Sequence, residues 1–372
     1  MRIVMFYHSL ISDWSHGNAH FLRGIVRELM RREHDVKVYE PADGWSLQNL
    51  TRDQDERAVE AFYQAYPGMR SMQYELATLD LDEALDGADL VLVHDWNEPE
   101  LVRRLGRHRA ARGDYILLFH DTRHQQLSGG EEDAGFDLAG FDGVLACGEV
   151  VRQRYAVAGW SGSAWTWHEA ADVELFRPLP EIEKTGDLIW IGNWCDDERG
   201  EALRSFLFEP VAELGLSATI HGVRYPDHVL KALVELGIDY AGWLPNYRVP
   251  ETLARYRLTV HVPRRACVES LPGIPTIRVF EALACGIPLV SAPWDDSEGL
   301  FRSGMDYLVA HSGEQMRAHL RDLLNDADMA AELARHGRET ILSRHTCAHR
   351  VDQLLAIHAA LDGTPLAREQ LA

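Results

Sequence analysis

Short apolar runs alternate with longer stretches in which apolar residues recur every three or four positions. In the first half the runs are Ile3–Tyr7, Val36–Tyr39, Leu90–Val93, Tyr115–Phe119, Val144–Ala146 and Ala164–Trp167. In the second half they are Leu188–Ile191, Ala218–His221, Asp239–Ala241, Leu258–Val262, Leu289–Ala292 and Tyr307–Val309. The stretch NAHFLRGIVRELMRR brings Phe21, Leu22, Ile25, Val26, Leu29 and Met30 to one face of a helix. Alternation of this kind predicts βαβ units and parallel sheets buried on both faces. One sheet holding every run would be unusually wide, so two doubly wound domains are expected. The segment Ala171–Asp187 carries two prolines, several charges and no periodicity, and reads as the connection between them. Two helical stretches close the second half, Gly313–Asp326 and Ala327–Leu361, the latter breaking near Ser343. The tail GTPLAREQLA is expected to fray.

Composition narrows the partners. A formal net charge of −21 argues against nucleic acid and anionic membrane. The five cysteines are scattered and form no CxxC pair, which fits reduced thiols in a cytoplasm rather than a disulfide framework or a zinc site. No secretory leader is read in MRIVMFYHS, and no apolar run is long enough to span a bilayer.

In open parallel sheets ligands bind beyond the carboxyl ends of the strands. There the polar residues gather. The first run is followed by HSLISDWSHGNAH, with Asp13, His16 and Gly17 before a helix start that favours an anion. Later runs are followed by His94-Asp95-Trp96, by His120-Asp121, by Gly192-Asn193 with Arg199 beyond, and by Pro263-Arg264-Arg265. The bland readings stand beside these: eighteen histidines make chance clusters easy, and Asp196–Glu198 fits a solvated helix start. No GxSxG, GKS/GKT or HExxH is present, and no GxGxxG follows the first run, which weakens a nicotinamide dehydrogenase.

The stretch LPGIPTIRVFEALACGIPLVSAPW is the most informative. Pro275 suits a first helical turn, Gly286 a helix end, and Pro288 a stop. Arg278 and Glu281 stand three apart. They are either an exposed ion pair worth ~0.3–0.5 kcal/mol or a binding pair. In the second case the carboxylate accepts from a ribose diol, and the arginine with the helix start holds phosphate.

These residues resemble the GT-B-fold group 1 glycosyltransferases, nearest the spore-maturation glycosyltransferase-like branch. IRVFEALACGIPLVS is similar to that family's nucleotide-sugar helix. Gly242–Arg265 resembles its base-pocket segment, AADVELFRP the stretch before its hinge, and HTCAHRVDQLL its last helix, which crosses back. The resemblance implies two Rossmann-like domains with parallel sheets facing across a cleft: an acceptor domain over 1–175, a nucleotide-sugar donor domain over 176–342, and a returning helix over 343–372. It implies that Glu281 holds the donor ribose, that His120 meets the donor sugar, and that Gly17, Gly192, Asn193, Arg199, Arg264, Arg265 and Arg278 surround the nucleotide and its diphosphate. Two departures stand out. Gly273 falls where the retaining branch has its first glutamate, and Asn193 stands for the family's arginine.

The resulting expectation is a metal-independent hexosyl transferase, of retaining type. It needs no cofactor beyond the nucleotide-sugar substrate, because arginines and helix starts stabilise the departing diphosphate. If configuration inverts instead, His16, His120 or Asp13 would supply the base. The acceptor is open. Peripheral membrane contact stays open, as does monomer against homodimer. A sugar-nucleotide epimerase of the same fold and a non-catalytic sugar-nucleotide-binding protein are the alternatives.

Overall fold

The computed structural model describes residues 1–15, 17–122, 136–195 and 197–363, without the side chains of Asp197, Ala266 and Cys267. His16, Asp196 and the tail from 364 onward, all singled out above, lie outside the described residues. The chain forms two compact units: Met1–Glu169 joined by the segment from Cys347 onward, and Ala170–Thr346. The expected boundaries were at 175 and 343.

Unit 1 is built on strands β1 (Arg2–Phe6), β2 (Asp35–Pro41), β3 (Ser71–Tyr74), β4 (Leu90–His94), β5 (Ile116–Asp121), β6 (Gly143–Ala146) and β7 (Ser163–Thr166). All are parallel, in the order β3-β2-β1-β4-β5-β6-β7. Its helices are α1 (Ala19–Arg31), α2 (Trp45–Gln54), α3 (Arg57–Ala65), α4 (Leu81–Ala84), α5 (Pro99–Arg112) and α6 (Glu149–Val157). Residues 3–6 and 90–93 are wholly buried, as a central parallel strand requires. The apolar face of α1 is buried as the spacing predicts, from Phe21 and Leu22 through Leu29.

Unit 2 carries β8 (Gly186–Ile191), β9 (Ala218–His221), β10 (Asp239–Gly242), β11 (Tyr256–His261), β12 (Leu289–Ser291) and β13 (Leu308–Val309), parallel and ordered β10-β9-β8-β11-β12-β13. The helices are α7 (Asp197–Leu203), α8 (Glu209–Leu214), α9 (Asp227–Glu235), α10 (Val249–Ala254), α11 (Arg265–Ser270), α12 (Ile277–Ala284), α13 (Gly313–Asn325) and α14 (Ala327–Arg344). A π turn, Arg204–Phe208, joins α7 to α8. Ser312 caps α13 through the Gln315 amide, and Asp326 caps α14 through that of Met329. One core of Leu188, Trp190, Leu203, Ile220, Leu258 and Val290 with Met316 and Leu320 closes the unit.

Segment 170–185 is no loose linker. Phe176 is 1% exposed, its amide bonds to Asp172, and Ala171 donates to the His345 carbonyl at 2.9 Å. The two stretches by which the chain enters and leaves unit 2 therefore run side by side, with Ala171 bridged in parallel to Thr346. Helix α15 (Cys347–Leu361) then belongs to unit 1, packed on α1. Arg32 pairs with Asp352 at 2.5 Å, and the Trp167 indole N–H donates to the Arg350 carbonyl at 2.9 Å.

Candidate active site

Each sheet reverses its strand order between its first and fourth strand, which makes the carboxyl ends of β8 and β11, and of β1 and β4, the switch-point crevices. In unit 2 the crevice begins at Gly192. A β-carbon there would lie 2.5 Å from the Trp190 ring, and one on Gly222 would lie 1.9 Å from the Gly192 carbonyl oxygen. Two backbone segments thus meet with no room for side chains. The Asn193 amide oxygen accepts the Val223 N–H at 3.0 Å, and the Tyr225 hydroxyl donates to the Gly192 carbonyl at 3.1 Å. Asn193 therefore ties the two loops together.

Arg199, in the first turn of α7, lies 5.6 Å from the Trp190 ring centre. Its charge is felt by Tyr225 and His261. Burial pushes the Tyr225 phenol upward, with Arg199 opposing. Burial pushes His261 down to about 3, with Arg199 adding to the effect. Arg264, on the turn after β11, and Arg265, the first residue of α11, are exposed, and Arg265 pairs with Glu269 at 2.7 Å and Glu198 at 3.5 Å. Arg199 and Arg265 line a cavity of about 330 Å³ with Glu198, Pro263 and Pro293. A larger cavity, about 800 Å³, lies between the α7–α8 segment and α9, lined by Trp194, Phe208 and His228; none of the residues expected to hold the donor lines it.

His261 sets the start of α12. The Ser291 hydroxyl donates to the Ala292 carbonyl, so it accepts from His261 Nδ1 at 2.9 Å. That leaves His261 Nε2 to accept from the hydroxyl of Thr276, the residue before α12, at 3.0 Å. One turn on, Glu281 is 1% exposed. Its Oε1 accepts from the Asn246 amide at 2.6 Å and its Oε2 from Arg278 at 2.5 Å, while the Arg278 side chain is 30% exposed. The pair is no solvated helix face. The carboxylate is fixed from two sides and the arginine is its outer partner. Asn246 was missed in sequence, although it stands in the segment read as base-pocket wall. Gly273 has φ +86°, and a β-carbon there would lie 2.9 Å from Glu298 Cγ and 3.0 Å from its Oε1. A side chain at 273 would be strained by the positive φ and would have to displace Ser297 Oγ and the Glu298 side chain, which fills that space.

In unit 1, His120, next to last in β5, is fully buried, with Tyr7, Phe21, His94 and Trp167 rings around it. Its Nδ1 meets the Tyr7 hydroxyl at 2.9 Å, and among the described residues its Nε2 has no hydrogen-bond partner. Burial pushes it down to about 3, so the ring is neutral. Asp13 pairs with buried Arg23 at 2.7 Å; Arg23 also donates to the carbonyls of Leu10 and Ile11. Glu40, 2% exposed, accepts from the Leu10 amide at 2.5 Å. Burial pushes the Glu40 carboxyl up to about 7 against the hydrogen bonds that pull it down. Gly17 lies in the turn before α1, its carbonyl accepting from the His20 amide at 3.3 Å. Thr122, His94 and Asp95 line up as a nucleophile relay would, with Thr122 3.3 Å from His94 Nε2. The Thr122 hydroxyl, however, donates to Asp95 Oδ1 at 3.0 Å, and the Trp96 amide donates to His94 Nδ1, so the threonine proton is directed at the carboxylate and not at the imidazole. Among the described residues no group of three or more His, Cys, Asp or Glu side chains is placed to hold a metal ion, and no helix is long and apolar enough to cross a membrane.

Residues 203–356 match the model of a family described as glycosyl transferase-like. No curated protein matches the chain in sequence. Solved structures match along nearly the whole chain. Sucrose-phosphate synthase from Thermosynechococcus elongatus is 12% identical, with 98% of this chain and 100% of that one covered, at a TM-score of 0.63. HepE of Anabaena, in complex with UDP and glucose, is 14% identical over 97% and 100%, at 0.65. An α-glucosyltransferase in complex with UDP and a 13-mer DNA is 10% identical over 96% and 99%, at 0.70. At these identities the likeness concerns the fold, which is GT-B.

Proposed function

We propose that the chain is a glycosyltransferase of the group 1 type, residues 203–356 of which match the glycosyl transferase-like family model, and that it moves a hexosyl group from a nucleotide-sugar donor to an acceptor without a metal ion. The observation that carries this is the buried Glu281 carboxylate, held by Asn246 and Arg278 in the first turns of α12 and lying inside the matched segment. In this reading Glu281 accepts from the donor ribose. Arg278, Arg199, Arg264 and Arg265, with the start of α12, stabilise the charge that develops on the leaving diphosphate. A uridine diphosphate sugar is the first donor to test, because HepE and the α-glucosyltransferase carry UDP. The acceptor is bound by unit 1, and a chain of net charge −21 favours one other than nucleic acid.

Retention of configuration is favoured by what unit 1 offers as a base. Of the two candidate bases among the described residues, Asp13 is committed to Arg23, and His120 is neutral and too weakly basic to take a proton near neutral pH. The proton of the acceptor hydroxyl then goes to an oxygen of the departing diphosphate. The test is calorimetric titration with UDP-glucose in excess EDTA, followed by release of UDP on addition of acceptor mixtures. Binding and UDP release that persist in EDTA are expected. Activity lost in EDTA and restored by magnesium or manganese removes the metal-free mechanism. Failure of UDP, GDP, TDP and ADP sugars alike to raise the melting temperature removes the donor reading altogether.

A further inference from the structure

A cavity of about 530 Å³ opens in unit 1 at the carboxyl ends of β2 and β3. Pro41 and Tyr74, the last residues of those strands, form part of its wall, with Asp43, Gln48, Glu75 and Glu98. Its size suits a sugar-sized ligand. Asp43, Glu75 and Glu98 are exposed, and among the described residues none is paired with a cation or hydrogen-bonded through its side chain. Several other acids of this unit are held by arginines: Asp13 by Arg23, Asp35 by Arg2, Asp142 by Arg109. Among the described residues no lysine or arginine lines the cavity. Arg104, beside it, gives its guanidinium to the carbonyls of Leu76 and Leu79 at 2.5 and 2.6 Å. The charges of Glu98 and Asp43 both add to burial in pushing the Tyr74 phenol upward, so their fields converge on the wall.

The loops that carry these acids also carry an aromatic cluster. Half-buried Trp45, two residues after Asp43, lies 5.2 Å from the His8 ring, and Trp96, two before Glu98, lies 5.6 Å from it. This framework is rigid: Ser12 meets Ser46 at 2.8 Å, and the Trp14 indole donates to Asp53 at 2.9 Å.

We propose that this cavity is the acceptor subsite and that it takes the amine-bearing ring of an amino sugar or aminocyclitol. The proposal rests on the transferase reading above. Uncompensated carboxylates attract an ammonium group, accept from ring hydroxyls, and repel a phosphate. A phosphorylated sugar or a lipid phosphate is therefore a poor occupant.

The test is ligand-observed NMR on the whole protein with no donor present, using glucosamine, glucose and glucose 6-phosphate. Glucosamine should bind at least five-fold more tightly than glucose, and glucose 6-phosphate should not bind. The double variant Asp43→Asn, Glu98→Gln, whose exposed positions leave the melting temperature unchanged, should bring glucosamine to the level of glucose. The proposal is overturned if glucose 6-phosphate binds as well as glucosamine, if the amine preference survives the double variant, or if no amine preference is seen, absence of binding by all three included. Hydrolysis of UDP-glucose by the same preparations scores the transferase reading apart. Hydrolysis without amine preference sinks the subsite alone; amine preference with neither donor binding nor hydrolysis leaves the amine site standing and removes the transferase reading.

Discussion

Arg278 and Glu281 show how burial changes the meaning of a spacing. On an exposed helix the pair would be worth a few tenths of a kcal/mol. Here Glu281 is buried and Arg278 is its outer partner, so the two substitutions are not equivalent. Arg278→Ala strands a buried carboxylate with only Asn246 opposite and should cost about 3–5 kcal/mol. Glu281→Gln leaves a part-exposed arginine that water can reach, and should cost less. In the proposed role of Glu281 as ribose acceptor, the variant's UDP affinity should nevertheless fall by about ten- to hundred-fold, the worth of a charge-assisted bond of about 1.5–3 kcal/mol. Denaturant melts and calorimetry check the order; equal destabilisation by both would contradict the geometry. Glu40 makes a pH prediction. Its folded value of about 7 lies above the ~4.3 of an unfolded glutamate. The folded protein binds that proton more tightly, so the contribution is fully present below about pH 4.3 and is lost as pH rises to about 7. Glu40→Gln, which keeps an oxygen for the Leu10 amide, should therefore gain on the natural protein by about 2–4 kcal/mol between pH 4.5 and 8. Urea melts across that range would show two parallel curves if Glu40 were not the group responsible.

At the scale of elements, the loops after β8 and β9 pass each other without side chains. Gly222→Ala pushes a methyl group into a carbonyl oxygen, which cannot move without shifting β8, whereas Gly192→Ala meets the Trp190 ring. We expect Gly222→Ala to cost about 3 kcal/mol or more and Gly192→Ala less, because a ring turns more cheaply than a backbone; thermal melts of the two variants decide. The same scale shows what was legible in the sequence. Each of the twelve apolar runs overlaps a strand, because central parallel strands are apolar on both faces and stand out from amphipathic helices. β3 was missed because Ser-Met-Gln-Tyr is an edge strand with Met72 45% exposed and no apolar run to mark it. The helix at Arg278 and its proline and glycine punctuation were legible locally. Asn246 and His261 were not recognisable as supports of that helix, since their roles depend on contacts 35 and 15 residues away in sequence. Gly273 could be read as a missing glutamate, but only the fold shows Glu298 in the vacated space.

At the scale of the whole molecule, unit 1 is discontinuous and unit 2 is not. Helix α15 buries Val351, Leu354 and Ile357, and Arg350 donates to the His168 carbonyl at 2.8 Å. Truncation after Thr346 should lower the unfolding transition of unit 1 by at least 10 °C and leave that of unit 2 nearly in place, as read by scanning calorimetry. A single transition lowered as a whole would contradict two independent cores. The side-by-side entry and exit of unit 2 at Ala171 and Thr346 also bear on biosynthesis. As the chain emerges from a ribosome, the seven strands of unit 1 appear first, yet the helix that covers α1 is translated only after all of unit 2. Unit 2 can fold as soon as its last residue clears the exit tunnel. Unit 1 must wait with an open flank, so the first part to be synthesised is the last to be completed and the one most in need of a chaperone.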